Sequence, residues 1–92
     1  MLPDQTAAKL RCVLYGVMFA ERLSDGVERT VSLIRAGRVN SLSPAECLVA
    51  IYEGLASESS IRDACWMEHF EEDAVRQFLA AVARELERKP SS

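Results

Sequence analysis

The chain has 92 residues, of which 49% are hydrophobic and 27% are charged, and its formal net charge is −3. This length accommodates one small domain, and the apolar share excludes disordered, collagen-like and disulfide-stapled classes. Three widely spaced cysteines are typical of reduced thiols, and the most apolar run, over 10–20, is shorter than the roughly 20 residues that a membrane span needs. We therefore expect a cytoplasmic protein with no membrane span.

The first helix is predicted over 5–23. Apolar residues recur there at helical spacing, and no stretch of the chain alternates as a strand would. Leu10, Val13 and Leu14 share one face, and a second apolar stripe lies beside them. A helix that is apolar around most of its circumference is normally covered on two sides. We therefore expect this helix to pack against more than one neighbour.

The second helix is predicted over 25–37. Asp25 and Glu28 have the spacing of a capping box, in which two side chains satisfy the first backbone N–H groups of a helix. Gly37 is well placed to end the helix, because glycine adopts the left-handed conformation that follows many helices.

The third helix is predicted over 43–56 and has the clearest start signal in the chain. Ser43 is the expected N-cap, Pro44 takes the first helical position, and Glu46 completes a capping box. The residues that follow leave this helix almost no polar face, so we again expect it to be covered on two sides.

Helices four and five are predicted over 59–70 and 72–89, and a disordered tail is predicted at 90–92. The fifth helix begins with acidic residues and ends with basic ones, which suits the helix dipole. Short connections make neighbouring helices antiparallel. The predicted fold is a single all-α domain of antiparallel helical hairpins, a TPR-like α-solenoid of about five helices, and a closed helical bundle is the alternative.

No arrangement of residues in the chain indicates catalysis. The sequence has no glycine-rich phosphate loop, and a single histidine leaves little basis for a catalytic triad. Cys65 and His69 are four residues apart, but a zinc site needs further ligands that the sequence does not supply. We therefore predict that the protein is not an enzyme and uses no cofactor or metal.

The excess of acidic residues lies in the second half of the chain. That distribution leaves open an immunity or regulatory protein that binds a basic partner through its acidic C-terminal half. The order of helices over 42–88 also leaves open a helix-turn-helix DNA-binding protein. Acidic residues stand where a recognition helix needs basic ones, so we do not expect a nucleic-acid partner.

The apolar residues of helices one, three and five exceed what a small bundle needs for its own core. We interpret the excess as a docking surface for an amphipathic helix of a partner. The chain resembles the small helical-repeat chaperones of type III secretion needle subunits, the YscG/PscG/EscG type. The resemblance is carried by FAERL at 19–23 with VSLIR at 31–35, by LSP at 42–44 running into 47–55, and by VRQFL at 75–79 running to 86.

The resemblance implies a cytoplasmic chaperone that forms a hetero-oligomer with a small helical co-chaperone and the needle subunit protein. By covering the amphipathic helix of the needle subunit, such a chaperone prevents premature polymerisation. The implied co-chaperone interface consists of Leu14, Tyr15, Met18 and Phe19. The implied client-helix groove consists of Ile51, Tyr52, Leu55, Trp66, Val75, Phe78, Leu79 and Val82.

Overall fold

A computed structural model describes residues 2–17, 20–39 and 42–88. Within these residues every regular element is a helix, which confirms the predicted all-α class. The elements in chain order are α1 (Asp4–Tyr15), a 3₁₀ turn (Leu23–Gly26), α2 (Val27–Arg35), α3 (Pro44–Ala56), the single-turn helix α4 (Ile61–Ala64) and α5 (Glu72–Glu87). The predicted end of helix five at 89 and the predicted tail at 90–92 lie outside the described residues.

The start of α3 is as predicted. The hydroxyl of Ser43 accepts a hydrogen bond from the N–H of Glu46 at 3.1 Å, and the carboxylate of Glu46 accepts one from the N–H of Ser43 at 3.3 Å. Pro44 occupies the first helical position, where its missing N–H leaves no hydrogen bond unmade. All the determinants of this cap lie within four residues, so local sequence suffices to predict it.

Helix one is shorter than predicted. α1 ends at Tyr15, Gly16 and Val17 form a turn, and residues 20–22 are not helical. Glycine is a poor helix former, and the turn brings Val17 against the backbone of Gly26. A Cβ atom on Gly26 would stand 2.3 Å from Cγ1 of Val17, so this close approach requires glycine. The prediction of a longer helix rests on local periodicity, and periodicity carries no information about a contact between separate elements.

The predicted capping box at the start of α2 is wrong, whereas the predicted stop is confirmed. Gly26, which has no side chain, is the N-cap, and Asp25 belongs to the preceding 3₁₀ turn. Gly37 has a φ of 71°, in the left-handed region that favours glycine. The N–H of Arg38 donates to the carbonyl of Leu33 at 2.9 Å, which completes a Schellman motif at this helix end.

Helix four is a single turn rather than the predicted helix over 59–70. It ends because Trp66 adopts a φ of 58°, after which the N–H of Met67 donates to the carbonyl of Arg62 at 2.8 Å. The end of α2 has the same motif, with glycine in the left-handed position that tryptophan occupies here. Tryptophan is not a helix-stop signal, so the sequence did not indicate this boundary.

The helices α3 and α5 pack against each other at the centre of the fold. α1 packs against α3, and α2, α4 and the 3₁₀ turn pack against α5. The hairpin expected between helices one and two is not among these main pairs, since α1 packs on α3 instead. The largest fully buried side chains are Leu10, Leu14, Ile34, Ile51, Ile61, Met67 and Leu79.

The first turn of α5 caps the start of α4. The carboxylate of Glu72 accepts hydrogen bonds from the Ser60 hydroxyl at 2.8 Å, from the N–H groups of Ile61 and Arg62 at 3.0 Å, and from Nε of Arg76 at 2.9 Å. Burial opposes ionisation of Glu72, but these hydrogen bonds outweigh it and lower the pKa of the carboxyl from its ordinary value. Glu72, one of the acids expected to complement the dipole of α5, therefore also stabilises the start of α4.

The guanidinium of Arg76 fixes the loop between α3 and α4. It donates to the carbonyl oxygens of Leu55 at 3.2 Å, Ser57 at 3.0 Å and Ser59 at 2.9 Å. Carbonyl groups at a helix end lack intrahelical partners, so Arg76 supplies donors where α3 ends. We refer to Glu72 and Arg76, which form an ion pair one turn apart, as the α5 clasp.

Candidate functional site

Most of the residues predicted to line a client groove lie in the hydrophobic core. Ile51, Val75, Leu79 and Val82 are fully buried, and Phe78 is nearly so. The four aliphatic side chains therefore stabilise the fold and do not present a surface to a partner of the folded chain. Helical periodicity identifies an apolar face but not what covers it, and this face of α5 packs against α2 and α3.

Three residues predicted to contact partners are exposed. The exposed fractions are 46% for Tyr52, 60% for Trp66 and 72% for Tyr15. Leu55 is half-buried and Leu14 is buried. The remaining two, Met18 and Phe19, lie outside the described residues. The structure therefore places Tyr15, Tyr52 and Trp66 of the predicted set at the surface, whereas the aromatic ring of Phe78 is buried with the aliphatic side chains.

The outward face of α3 carries an apolar stripe. Val49, which was not assigned to the predicted groove, is 55% exposed and lies about one turn before Tyr52. Ala45 and Ala56 are also exposed, and the four residues have the i, i+4, i+7, i+11 spacing that places them on one face of a helix. We call Ala45, Val49, Tyr52 and Ala56 the outer stripe.

The charged side chains of α3 are hydrogen-bonded within the fold. Glu46 belongs to the N-terminal cap, and Glu53 accepts a hydrogen bond from the hydroxyl of Thr6 on α1. On the side of α5, the hydroxyl of Tyr52 donates to the carboxylate of Glu87. The outer stripe thus has no charged member and is bordered by anchored polar groups, an arrangement typical of an interface core and its rim.

A second apolar concavity lies between α5 and the segment that leads into α2. Its volume is about 460 Å³, within the range of ligand-binding clefts. We call it the α2–α5 cleft. Its apolar lining is formed by Leu23, Val27, Phe70, Ala74, Phe78 and Ala81. Phe78 was predicted to line a client groove, and it does contribute to this cleft although little of its surface is exposed.

The α2–α5 cleft continues into a polar concavity toward the C-terminal end of α5. The two share Ser24 and Val27. Asp25 and Glu28 line the polar part from the side of the 3₁₀ turn and α2. The complete groove is therefore apolar at one end and carries carboxylates at the other.

Two arginines lie near the polar end of this groove, and each already has partners. The guanidinium of Arg88 is ion-paired with Glu85 at 3.1 Å. Arg35 donates to the backbone carbonyls of Glu85 at 2.6 Å and Arg88 at 3.2 Å. Among the residues that line the polar end, the carboxylates of Asp25, Glu28 and Glu85 outnumber the one cation, Arg88, so negative charge dominates the surface that faces the groove.

Trp66 stands at the surface beside α1. The guanidinium carbon of Arg11 lies 4.8 Å from the centroid of the indole ring, within cation–π distance. The left-handed backbone at Trp66 costs roughly 1–2 kcal/mol for a residue other than glycine. Trp66 thus combines an exposed ring with a strained backbone.

The cysteines of the described residues are free thiols. Burial raises the pKa of Cys65 to about 11 and also raises the pKa of Cys47. Because the thiolate is the nucleophilic form, neither thiol is activated for catalysis. The thiol of Cys65 lies against the carbonyl of Ala7 at 3.9 Å, and no group of three or more metal-ligating side chains converges within the part of the chain that the structure describes.

Comparison with protein-family models, with curated proteins and with solved structures finds no match to this chain. Among residues 2–17, 20–39 and 42–88, no helix combines the length and the apolar character needed to cross a membrane.

Proposed function

We propose that the protein is a helix-binding chaperone: it covers an apolar helix of a small partner and so prevents that partner from self-assembling. The observation that carries the proposal is the outer stripe of α3. The resemblance to needle-subunit chaperones supplies the setting, with the needle subunit and a small helical co-chaperone of a type III secretion system as the partners.

The outer stripe gains free energy when a partner covers it. Complete burial of a valine or a similar side chain contributes about 1.5–3 kcal/mol, and Val49 and Tyr52 still expose about half of their surface. Each therefore contributes about 0.7–1.5 kcal/mol to binding. A stable interface buries about 800 Å² on each partner, so we expect the bound helix to extend from the stripe over the adjoining surface of α1 or α5.

A helix is the occupant that best fits the shape of the outer stripe. Alanine at both ends lets a second helix approach closely, and helix axes in contact lie 8–10 Å apart. Tyr52 supplies an aromatic anchor of the kind that dominates interface energetics. Its hydroxyl already has a partner in Glu87, so the ring is held in place before binding. Binding removes the free partner from its own assembly equilibrium by mass action.

Co-expression with the needle subunit and with the co-chaperone tests this proposal. We expect a stable complex whose mass corresponds to one copy of this chain with its partner or partners. Val49→Asp and Tyr52→Asp place a charge in the outer stripe and should each weaken the complex at least tenfold, measured by calorimetry on purified proteins. Both positions are substantially exposed, so the variants should fold, which circular dichroism checks.

Ser32→Asp is the matched control, because it adds the same charge at an exposed position on α2. It should leave the complex intact. If Val49→Asp binds as well as Ser32→Asp, the outer stripe is not the binding surface. If the wild-type chain stays monomeric with both partners and binds no dye that reports exposed apolar surface, the chaperone function itself is excluded.

A further inference from the structure

We propose that the α2–α5 cleft is a second docking site, and that its occupant is a helical segment of a partner protein with a large apolar side chain near one end and a basic pair about two turns away. This surface is different from the outer stripe of α3. The proposal therefore does not depend on the chaperone function and can fail separately from it.

The apolar end of the cleft has room for a large apolar side chain. Two small residues of α5, Ala74 and Ala81, leave space beside the bulkier Phe70 and Val27. Burial of a leucine or phenylalanine in such a space is favourable because apolar surface is removed from water. At the rim of this end Glu21 and Arg22 balance each other in charge, so the apolar end selects for size and not for charge.

The other end of the groove selects for positive charge. Asp25 and Glu28 are exposed carboxylates on one wall. On the opposite wall Glu85 is already paired with Arg88. The guanidinium of Arg35 is directed to backbone carbonyls at the end of α5, as described above. Lysine or arginine side chains of a partner complement the remaining carboxylates, and such complementarity sets specificity and association rate.

The distance between the two ends fixes the spacing within the occupant. Phe78 at the apolar end and Glu85 at the polar end are one heptad apart on α5, which corresponds to about 10 Å along a helix axis. A helical occupant lying along α5 matches this distance with residues about seven positions apart. Residues at that separation lie on the same face of a helix, so one helix can fill both ends.

A pair of synthetic peptides tests the proposal. The first is a 16-residue alanine-based helical peptide with Leu-Phe near one end and Lys-Arg seven residues later, and the second has Glu-Glu in place of Lys-Arg. We expect the basic peptide to bind at least about fivefold more tightly, and the difference to shrink as the salt concentration rises. Fluorescence anisotropy measures the affinities, and amide chemical shifts should change at Val27, Ala74 and Gln77.

Substitutions in the protein provide the second test. Glu28→Lys reverses a charge at the polar end and should weaken binding of the basic peptide about fivefold or more. Asp73→Lys is the matched control, since Asp73 is likewise an exposed acid in the first turn of a helix but does not line the groove. Ala74→Arg should block the apolar end, and circular dichroism establishes that each variant is folded.

Three results would overturn the proposal. They are equal affinity for the basic and acidic peptides, equal effects of Glu28→Lys and Asp73→Lys, and chemical-shift changes that fall on the outer stripe instead of the cleft. The peptide comparison uses the wild-type chain, so it decides the question even if Ala74→Arg does not fold. A complex with the needle subunit that survives Glu28→Lys would leave the proposed chaperone function intact.

Discussion

Replacement of Glu72 by alanine removes the acceptor on which the start of α4 depends. Four hydrogen bonds are lost, two of them from the backbone N–H groups of Ile61 and Arg62. Hydrogen bonds to a charged group contribute about 1.5–3 kcal/mol when shielded from water. The side chains of Glu72 and Arg76 are 30% and 24% exposed, so we discount the sum for solvent screening. We expect Glu72→Ala to lower the free energy of unfolding by about 2–3 kcal/mol.

Urea unfolding followed by circular dichroism measures this loss. Asp73→Ala is the control, because Asp73 neighbours Glu72 on α5 but is exposed, and an exposed substitution usually changes stability by no more than about 0.5 kcal/mol. A native domain is stable by only about 5–15 kcal/mol, so the expected difference between the variants is easily resolved. If Glu72→Ala is no less stable than Asp73→Ala, the α5 clasp does not stabilise the loop before α4.

The same carboxyl predicts a pH dependence. The pKa of Glu72 is lowered in the folded chain, so the unfolded chain takes up the proton at a higher pH than the folded chain does. The stabilisation is complete above the unfolded pKa, about 4.3, and is lost as the pH falls through the folded pKa. Wild type should therefore lose stability more steeply than Glu72→Gln below about pH 5. Identical slopes in urea unfolding at several pH values would contradict this assignment.

Two further predictions concern glycine and tryptophan. Gly16→Ala should raise the free energy of unfolding by about 0.5–1 kcal/mol, since nothing lies within 4 Å of the added Cβ. Gly54→Ala should lower the free energy of unfolding, because its Cβ would stand 2.8 Å from the side chain of the buried Leu10. If both variants change the free energy of urea unfolding in the same direction, the packing described for α1 and α3 is refuted. Trp66→Gly should be about 1 kcal/mol more stable than Trp66→Ala. Both variants lose the contact of the indole ring with Arg11, but only glycine relieves the left-handed backbone. Equal midpoints of urea unfolding for the two variants would show that the backbone at this position is not strained.

The parts of the fold that the sequence predicted correctly depend on local interactions. The cap formed by Ser43, Pro44 and Glu46 and the stop at Gly37 each involve residues a few positions apart, so a sequence pattern contains all of the relevant physics. The wrong predictions concern helix boundaries that depend on contacts between residues far apart in the sequence. The end of α1 depends on the fit of Val17 against Gly26, and a periodic pattern carries no information about that contact.

The candidate site was predicted less well than the fold, for a related reason. The sequence pattern predicts the aliphatic face of α5, but it does not show which helices cover Leu79 and Val82, because that depends on how the helices pack. The aromatic residues Tyr15, Tyr52 and Trp66 were predicted to contact partners, and they are exposed. Residue type alone does not decide which rings are exposed, since the ring of Phe78 lies in the core.

The burial of two thiols makes α1 a protective cover. Cys65 lies against the carbonyl of Ala7 on α1, and Cys47 is buried on α3, the helix that packs against α1. Burial and a raised pKa leave little thiolate at either sulfur atom at neutral pH, so both react slowly with oxidants and alkylating reagents. This protection lasts only while α1 stays docked on α3. The rate at which Cys47 and Cys65 are oxidised is therefore set by how often one twelve-residue helix detaches, whereas Cys12 on that helix is only half-buried.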